Sequence, residues 1–280
     1  MQLYPIETGY FKLDGGTMFG VVPKVIWSKS YPADENNYIT LSMRCLLVVD
    51  GDRKILVNNG MGNKNKDKNT QYFSLNDDEI NLKKSLAEVG FTAEDITDVF
   101  LTHLHFDHCG GSVDEDENGN LFPAFPNATY HVSRQQWDWA INPNKREKPS
   151  YPPENLLPLK DRLRLFDQDG ELFPGFKVKI FNGHTMGQAI PFISYKGKTV
   201  VYTSDALPTS AHLPLPYIMS YDIQPLLTLD EKESLLNEAV ENDYILFFEH
   251  DHYTECCTLE KNPKGAKVKE RFNLAELRVG

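Results

Sequence analysis

Four potential metal ligands fall within six residues, His103, His105, Asp107 and His108, in the segment DVFLTHLHFDHCGG from Asp98 to Gly111. An apolar run ends at Thr102, just before them. In an extended chain alternate side chains share a face, so His103, His105 and Asp107 would point together. Gly110 and Gly111 then permit a tight turn. Imidazole and carboxylate donors in this mixture suit zinc, with iron or manganese as alternatives. The competing explanation is a polar loop with surface histidines. Three histidines and an aspartate so close together weigh against it.

The same grammar recurs downstream. KIFNG ends at His184, TVVYTS ends at Asp205, and YILFFE ends at His250. Each apolar run reads as a strand that ends in a ligand, and a sheet holds such ligands rigidly. Taken alone, His184 would be a core histidine and Asp205 a helix cap. With the first cluster they read as ligands, and five of the eight histidines fall in this pattern. The seven residues exceed what one tetrahedral ion takes. They fit two divalent ions with one carboxylate between them. Two ions ~3.5–4 Å apart can hold a bridging water or hydroxide whose pKa falls toward ~7. That chemistry is hydrolysis of a small-molecule substrate.

The elements that must position these residues can be read around them. Ser42–Asp50 and Lys54–Asn58 flank an Asp50-Gly51 turn and predict a hairpin. Asn76 to Gly90 predicts a helix, with Asn76 as cap, Glu79 completing a capping box and Leu82, Leu86 and Val89 on one face. A second helix should start at Ser133. A third should start near Thr228, with Glu231 as its capping partner and Leu235, Leu236, Ala239 and Val240 as its apolar stripe. Strands are expected at Ala128–Val132, Phe176–Phe181, Phe192–Tyr195, Thr199–Thr203 and Tyr244–Phe248. Lys64–Thr70 reads as a polar surface loop, Ser112–Asn127 as an acidic irregular segment, and Asn142–Pro158 as a proline-rich loop. No repeat or linker interrupts the chain, so residues 1–280 are expected to form a single domain.

Composition narrows the function. The 280 residues carry a formal net charge of −11, which weighs against a grip on nucleic-acid phosphates. Hydrophobic residues at 40% and charged ones at 25% exclude a disordered chain. No apolar run approaches the ~20 residues of a membrane span, and MQLYPIETGYFKLDGG does not read as a signal peptide. Four cysteines are too few for a disulfide scaffold, and a bridge between the neighbours Cys256 and Cys257 would be strained. Reduced thiols in a cytoplasmic protein are expected.

HLHFDH followed by GG, then GHT, SD and EH, in order from about Leu41 to His252, resembles the metallo-β-lactamase-fold superfamily. The resemblance implies an α/β fold, a four-layer αββα sandwich with metals at one sheet edge. It implies that His103, His105 and His184 hold one ion, that Asp107, His108 and His250 hold the second, and that Asp205 bridges. Asp107 and Asp205 are then the catalytic carboxylates. Asp205 stands where the β-lactamases of this fold have Cys or Ser, which argues against antibiotic hydrolysis. His105 stands where flavo-diiron proteins have Glu. Only 30 residues follow His250, too few for a glyoxalase-type helical extension. SDALPTSAHLPLPYIMSYDIQP and FEHDH are similar to the lactonase and organophosphate or aryl-ester hydrolase branch. Acyl-homoserine lactonases of that branch place Tyr where this chain has Pro208, so His212, Tyr217 and Tyr221 become the substrate-binding candidates. The implied activity is cleavage of an ester, lactone or related bond. The alternatives are a phosphotriester hydrolase and an iron-dependent redox or oxygen-handling protein. Asp251 is a candidate to orient a ligand histidine, His131 reads as structural, and one of Trp137 and Trp139 as core. The aromatic-rich segments Phe11–Phe19 and Tyr31–Tyr38 read as packing first, with an apolar substrate wall or a homodimer contact as the alternatives.

Overall fold

The candidate ligand histidines and aspartates follow short strands, of which Asp98–Phe100 and Ile245–Phe247 are fully buried. The computed structural model describes residues 1–64, 73, 81–263 and 265–278. Its contacts divide into two compact units, Met1–Tyr10 with Met43–Gln168, and Phe11–Ser42 with Asp169–Gly280.

In the first unit, the Gln2–Tyr10 part of strand β1 (Gln2–Asp14), the Met43–Asp50 part of β2 (Tyr38–Asp50), β3 (Arg53–Val57) and β4 (Asp98–Phe100) precede a small hairpin, β5 (Val113–Glu115) and β6 (Leu121–Pro123). Strands β7 (Thr129–Ser133) and β8 (Leu163–Phe166) follow. The main sheet runs β1-β2-β3-β4-β7-β8. The expected hairpin pairs Leu46 with Val57 through Asp50 with Arg53, although β2 begins earlier, at Tyr38. Strand β4 lies parallel to both β3 and β7. Parallel strands are covered on both faces, and Val99 and Phe100 are fully buried. Leu47, Leu56, Val99, Leu101, Tyr130 and Trp137 share its core.

Three local expectations for this unit need correction. Ser112–Asn127 contains the β5–β6 hairpin, whose turn is tied by Asp116 accepting from the Asn118 and Asn120 amides; the Asp-x-Asn-Gly chemistry favours such a turn. Asn142–Pro158 contains the short helix Pro153–Leu156 and buries Tyr151, Asn155 and Leu156. Lys64 is buried, not on the surface; its Nζ donates to the carbonyls of Gly110, at 2.6 Å, and Val113. The helix Leu82–Glu88 is capped by Asn81. The expected cap Asn76 and its partner Glu79 lie outside the described residues, as does the rest of the Lys64–Thr70 loop. The helix Arg134–Ile141 starts where expected, with Ser133 accepting from the Gln136 amide.

In the second unit, strands β9 (Gly170–Phe173), β10 (Phe176–Phe181), β11 (Gln188–Tyr195) and β12 (Lys198–Tyr202) form antiparallel pairs in sequence. Strand β13 (Ile245–Phe247) lies parallel to β12, and β14 (Cys256–Asn262) and β15 (Gly265–Phe272) complete the sheet. The helix Pro225–Glu241 makes the β12–β13 crossover and buries Leu235, Leu236 and Ala239 against Ile190, Val201 and Leu246. It starts at Pro225, ahead of the expected Thr228, because a proline's fixed φ suits the first turn. Glu231 therefore does not close a capping box. It accepts from the amides of Asn182 at 2.7 Å and Gly183 at 2.9 Å. A Cβ on Gly183 would meet Thr228 Cα and N at 2.5 Å, so only glycine lets the residue before His184 lie this close to the helix.

All four cysteines are free and buried. No helix of the described residues is long and apolar enough to cross a membrane.

Candidate metal centre

Strand β4 feeds directly into the first ligands. Beyond Phe100, Leu101 N donates to His131 O and Thr102 N to Asn58 Oδ1, which keeps the chain extended into His103. The extension ends sooner than expected. His105 caps a four-residue helix, Phe106–Cys109, so Asp107 and His108 are presented by a helical turn and not by strand alternation. His103, His105 and His108 are buried. His103 Nε2 lies 3.1 Å from His105 Nδ1, and His108 Nε2 lies 3.4 Å from Asp107 Oδ2. Two ligands on one tetrahedral ion with ~2.0–2.2 Å bonds sit about 3.3 Å apart. These donor pairs therefore have the spacing and the chemistry of divalent-metal ligands.

The second unit shows the same spacing. Asp205 lies in the turn Ser204–Ala206 after β12, and Ser204 takes a left-handed φ of 43°, a strained conformation of the kind that collects at functional turns. Asp205 Oδ2 is 3.1 Å from His184 Nε2 and Asp205 Oδ1 is 3.2 Å from His250 Nε2. One carboxylate thus turns a separate oxygen toward each of two imidazoles, as a bridging ligand must. His250 Nδ1 donates to Ser42 O at 2.8 Å, which leaves the Nε2 lone pair for a cation. Burial alone would favour neutral His184, but Asp205 and Asp222 outweigh it and hold the imidazole up at about 10. Two buried carboxylates around one imidazole constitute an environment that favours positive charge.

Asp222 was not legible as a site residue. It is buried and its Oδ1 lies 2.8 Å from His184 Nδ1. It performs for His184 the orienting task expected of Asp251. Asp251 accepts from the amides of Ser210, Tyr253 and Thr254 and organises that turn. Replacing Asp222 with Asn is expected to weaken divalent-ion binding by ~10–100-fold, as read by competition with a chromogenic chelator.

The three substrate-binding candidates lie on the loop after Asp205, in different settings. His212 is buried with both ring nitrogens engaged: Nε2 donates to Met18 O at 2.9 Å and Nδ1 accepts from Thr209 Oγ1 at 2.7 Å. Burial pushes its pKa down to about 3, and Phe19 stacks on the ring at 4.4 Å. Tyr217 meets Phe19 edge-on at 6.0 Å, and Tyr221 is exposed, with its hydroxyl 3.0 Å from Thr17 Oγ1. Among the remaining expectations, His131 pairs with Asp98 at 2.7 Å, Trp137 joins the core, and Trp139 Nε1 donates to Glu147 Oε2.

Comparison with known proteins identifies relatives of this fold. Residues 44–250 match the family model described as the metallo-beta-lactamase superfamily. A curated N-acyl homoserine lactonase from Bacillus cereus is 28% identical over 244 residues, 83% of this chain and 87% of the relative. A probable metal-dependent hydrolase from Staphylococcus aureus superposes with a TM-score of 0.89 at 32% identity, covering 97% of this chain and 96% of the other. An N-acyl homoserine lactone hydrolase, with the product N-hexanoyl-L-homoserine at its catalytic metal center, superposes with a TM-score of 0.69 at 25% identity, covering 90% and 95%. The mixed α/β class expected from the resemblance is the fold these proteins share with the chain.

Proposed function

Since the chain belongs to the metallo-beta-lactamase superfamily, we propose that it is a metal-dependent hydrolase that cleaves an ester, lactone or related bond of a small molecule. The observation that carries this reading is Asp205, whose two oxygens face His184 and His250 at ligand-pair spacing. We assign His103, His105 and His184 to one ion, Asp107, His108 and His250 to a second, and Asp205 to both, all within one hydrolase domain. Two zinc ions so held would supply a bridging hydroxide at neutral pH and polarise the scissile carbonyl.

The chain's own groups do the rest. His250 is fixed by Ser42 O and His184 by Asp222, so each presents Nε2. Asp107 and Asp205 are the carboxylates available to hold and pass on the proton released at bond cleavage. Tyr217 and Tyr221 are the hydroxyls assigned to the substrate in place of the tyrosine that Pro208 displaces. His212, held on both sides by protein, supports Tyr217 through Phe19, which stacks on the imidazole and meets Tyr217 edge-on. The four free, buried cysteines suit a cytoplasmic enzyme. Exposed Val21, Val25 and Ile26, between the two aromatic-rich segments, suit a homodimer contact.

The test is proton release by zinc-loaded protein against lactones, aryl esters, thioesters and phosphotriesters. Turnover of a lactone or aryl ester that vanishes with chelator is the expected result. Turnover of phosphotriesters alone would reassign the bond. A coloured, redox-active protein inert to all four classes would support the iron-dependent alternative.

A further inference from the structure

Glu147 is a buried carboxylate that the ligand assignment leaves unused. It is 4% exposed, and a buried carboxylate requires partners. Trp139 Nε1 donates to its Oε2 at 2.8 Å, Asn144 Nδ2 to the same oxygen at 2.5 Å, and the Tyr151 hydroxyl to Oε1 at 3.3 Å. Its Oε1 also lies 3.6 Å from Nε2 of His105, whose ring packs against Tyr151 with centroids 4.9 Å apart. The other nitrogen of that ring, Nδ1, is the one 3.1 Å from His103 Nε2.

A neutral imidazole places its single proton on one nitrogen and its lone pair on the other. Glu147 Oε1, 3.6 Å from Nε2, is at ion-pair and not hydrogen-bond distance, and its negative charge favours the proton on that nitrogen, which leaves Nδ1 as the donor atom. We propose that Glu147 is a positioning residue that holds His105 in the Nε2–H tautomer and so aims Nδ1, beside His103 Nε2, at a metal ion. This inference rests on the metal-centre reading above. Four side chains from one stretch, Trp139, Asn144, Glu147 and Tyr151, would then serve to orient a single ligand.

Nitrogen-15 NMR of histidine-labelled, metal-free protein reads the tautomer directly. His105 should be Nε2–H in the wild type and lose that preference in Glu147→Gln, whose amide can present a donor to the ring. Chelator competition should show zinc held ~10–100-fold more weakly by Glu147→Gln. Trp139→Phe removes one of the donors that fix Glu147 but leaves the carboxylate, so it should weaken zinc binding by less than Glu147→Gln does. A His105 that stays Nε2–H in Glu147→Gln, with unchanged zinc affinity, overturns the proposal. Should that variant fail to fold, an Nδ1–H tautomer in the wild type overturns it alone. Wild-type protein that takes up no zinc, yet shows the Glu147-dependent tautomer, overturns the metal-centre reading and upholds the role of Glu147 in setting the tautomer.

Discussion

Asp205→Ala is expected to lower kcat/KM on the substrate found by the panel by roughly 10³-fold or more, equivalent to about 4 kcal/mol of transition-state stabilisation. The argument is geometric and electrostatic together. Asp205 turns one oxygen to His184 and the other to His250, so under the proposed assignment its removal would take a donor from both ions at once. It also removes one of the two carboxylates that favour positive charge around His184. Bound zinc should fall with activity. Asp205→Asn, which keeps the shape and one oxygen but not the charge, should retain more metal than the alanine variant and still lose most turnover. Near-UV circular dichroism of both variants should match the wild type, because Asp205 sits in a turn after β12 and contributes nothing to the apolar core. Full activity in Asp205→Ala would sink the assignment of this residue to the centre.

The ligand-bearing strand ends were legible because their signal is local. A short apolar run followed within three residues by His or Asp needs nothing beyond neighbouring residues to be seen, and Phe247 before His250 or Tyr202 before Asp205 is such a run. Where a distant group intervened, the sequence was mute. Glu231 looks like a capping residue until Asn182 and Gly183, far away in the chain, offer it two amides. Asp222 sits in a loop beside proline-rich sequence with no spacing that links it to His184, yet the fold brings them to 2.8 Å. Glu147 and Lys64 are charged residues in segments that read as solvated loops, and only tertiary partners explain their burial. Asp107 shows a different failure. Its identity as a candidate ligand was plain, but strand alternation was the wrong geometry, because the chain turns into a helix at Phe106. Residue type carried the chemistry, and long-range contacts decided which groups orient the candidate ligands.

Lys232→Met is expected to destabilise the protein by about 2 kcal/mol near neutral pH, with a pH signature that identifies the cause. Lys232 lies on the helix Pro225–Glu241 and is 2% exposed. Its ammonium donates to the carbonyls of His212 at 3.1 Å, Pro214 at 3.1 Å and Tyr217 at 2.9 Å, so one cation holds the loop that carries His212 and Tyr217. Methionine fills the same volume but leaves those carbonyls unanswered. Burial also pushes the lysine pKa down to about 8, against the pull of Asp222, while the unfolded chain titrates near ~10.4. Between those values the unfolded state binds more protons than the native state, so Lys232 makes stability rise with pH. The charge penalty is fully present below about 8 and is gone above the unfolded value. Urea unfolding of both chains from pH 7 to 10 should therefore show the gap between them widening with pH, because the methionine variant lacks this rise. The loosened loop should also raise KM more than it lowers kcat, since Tyr217 is assigned to substrate and none of the proposed ligands is moved. A constant gap across that pH range would show that Lys232 is not buried as a charge, and an unchanged KM would detach the loop from substrate binding.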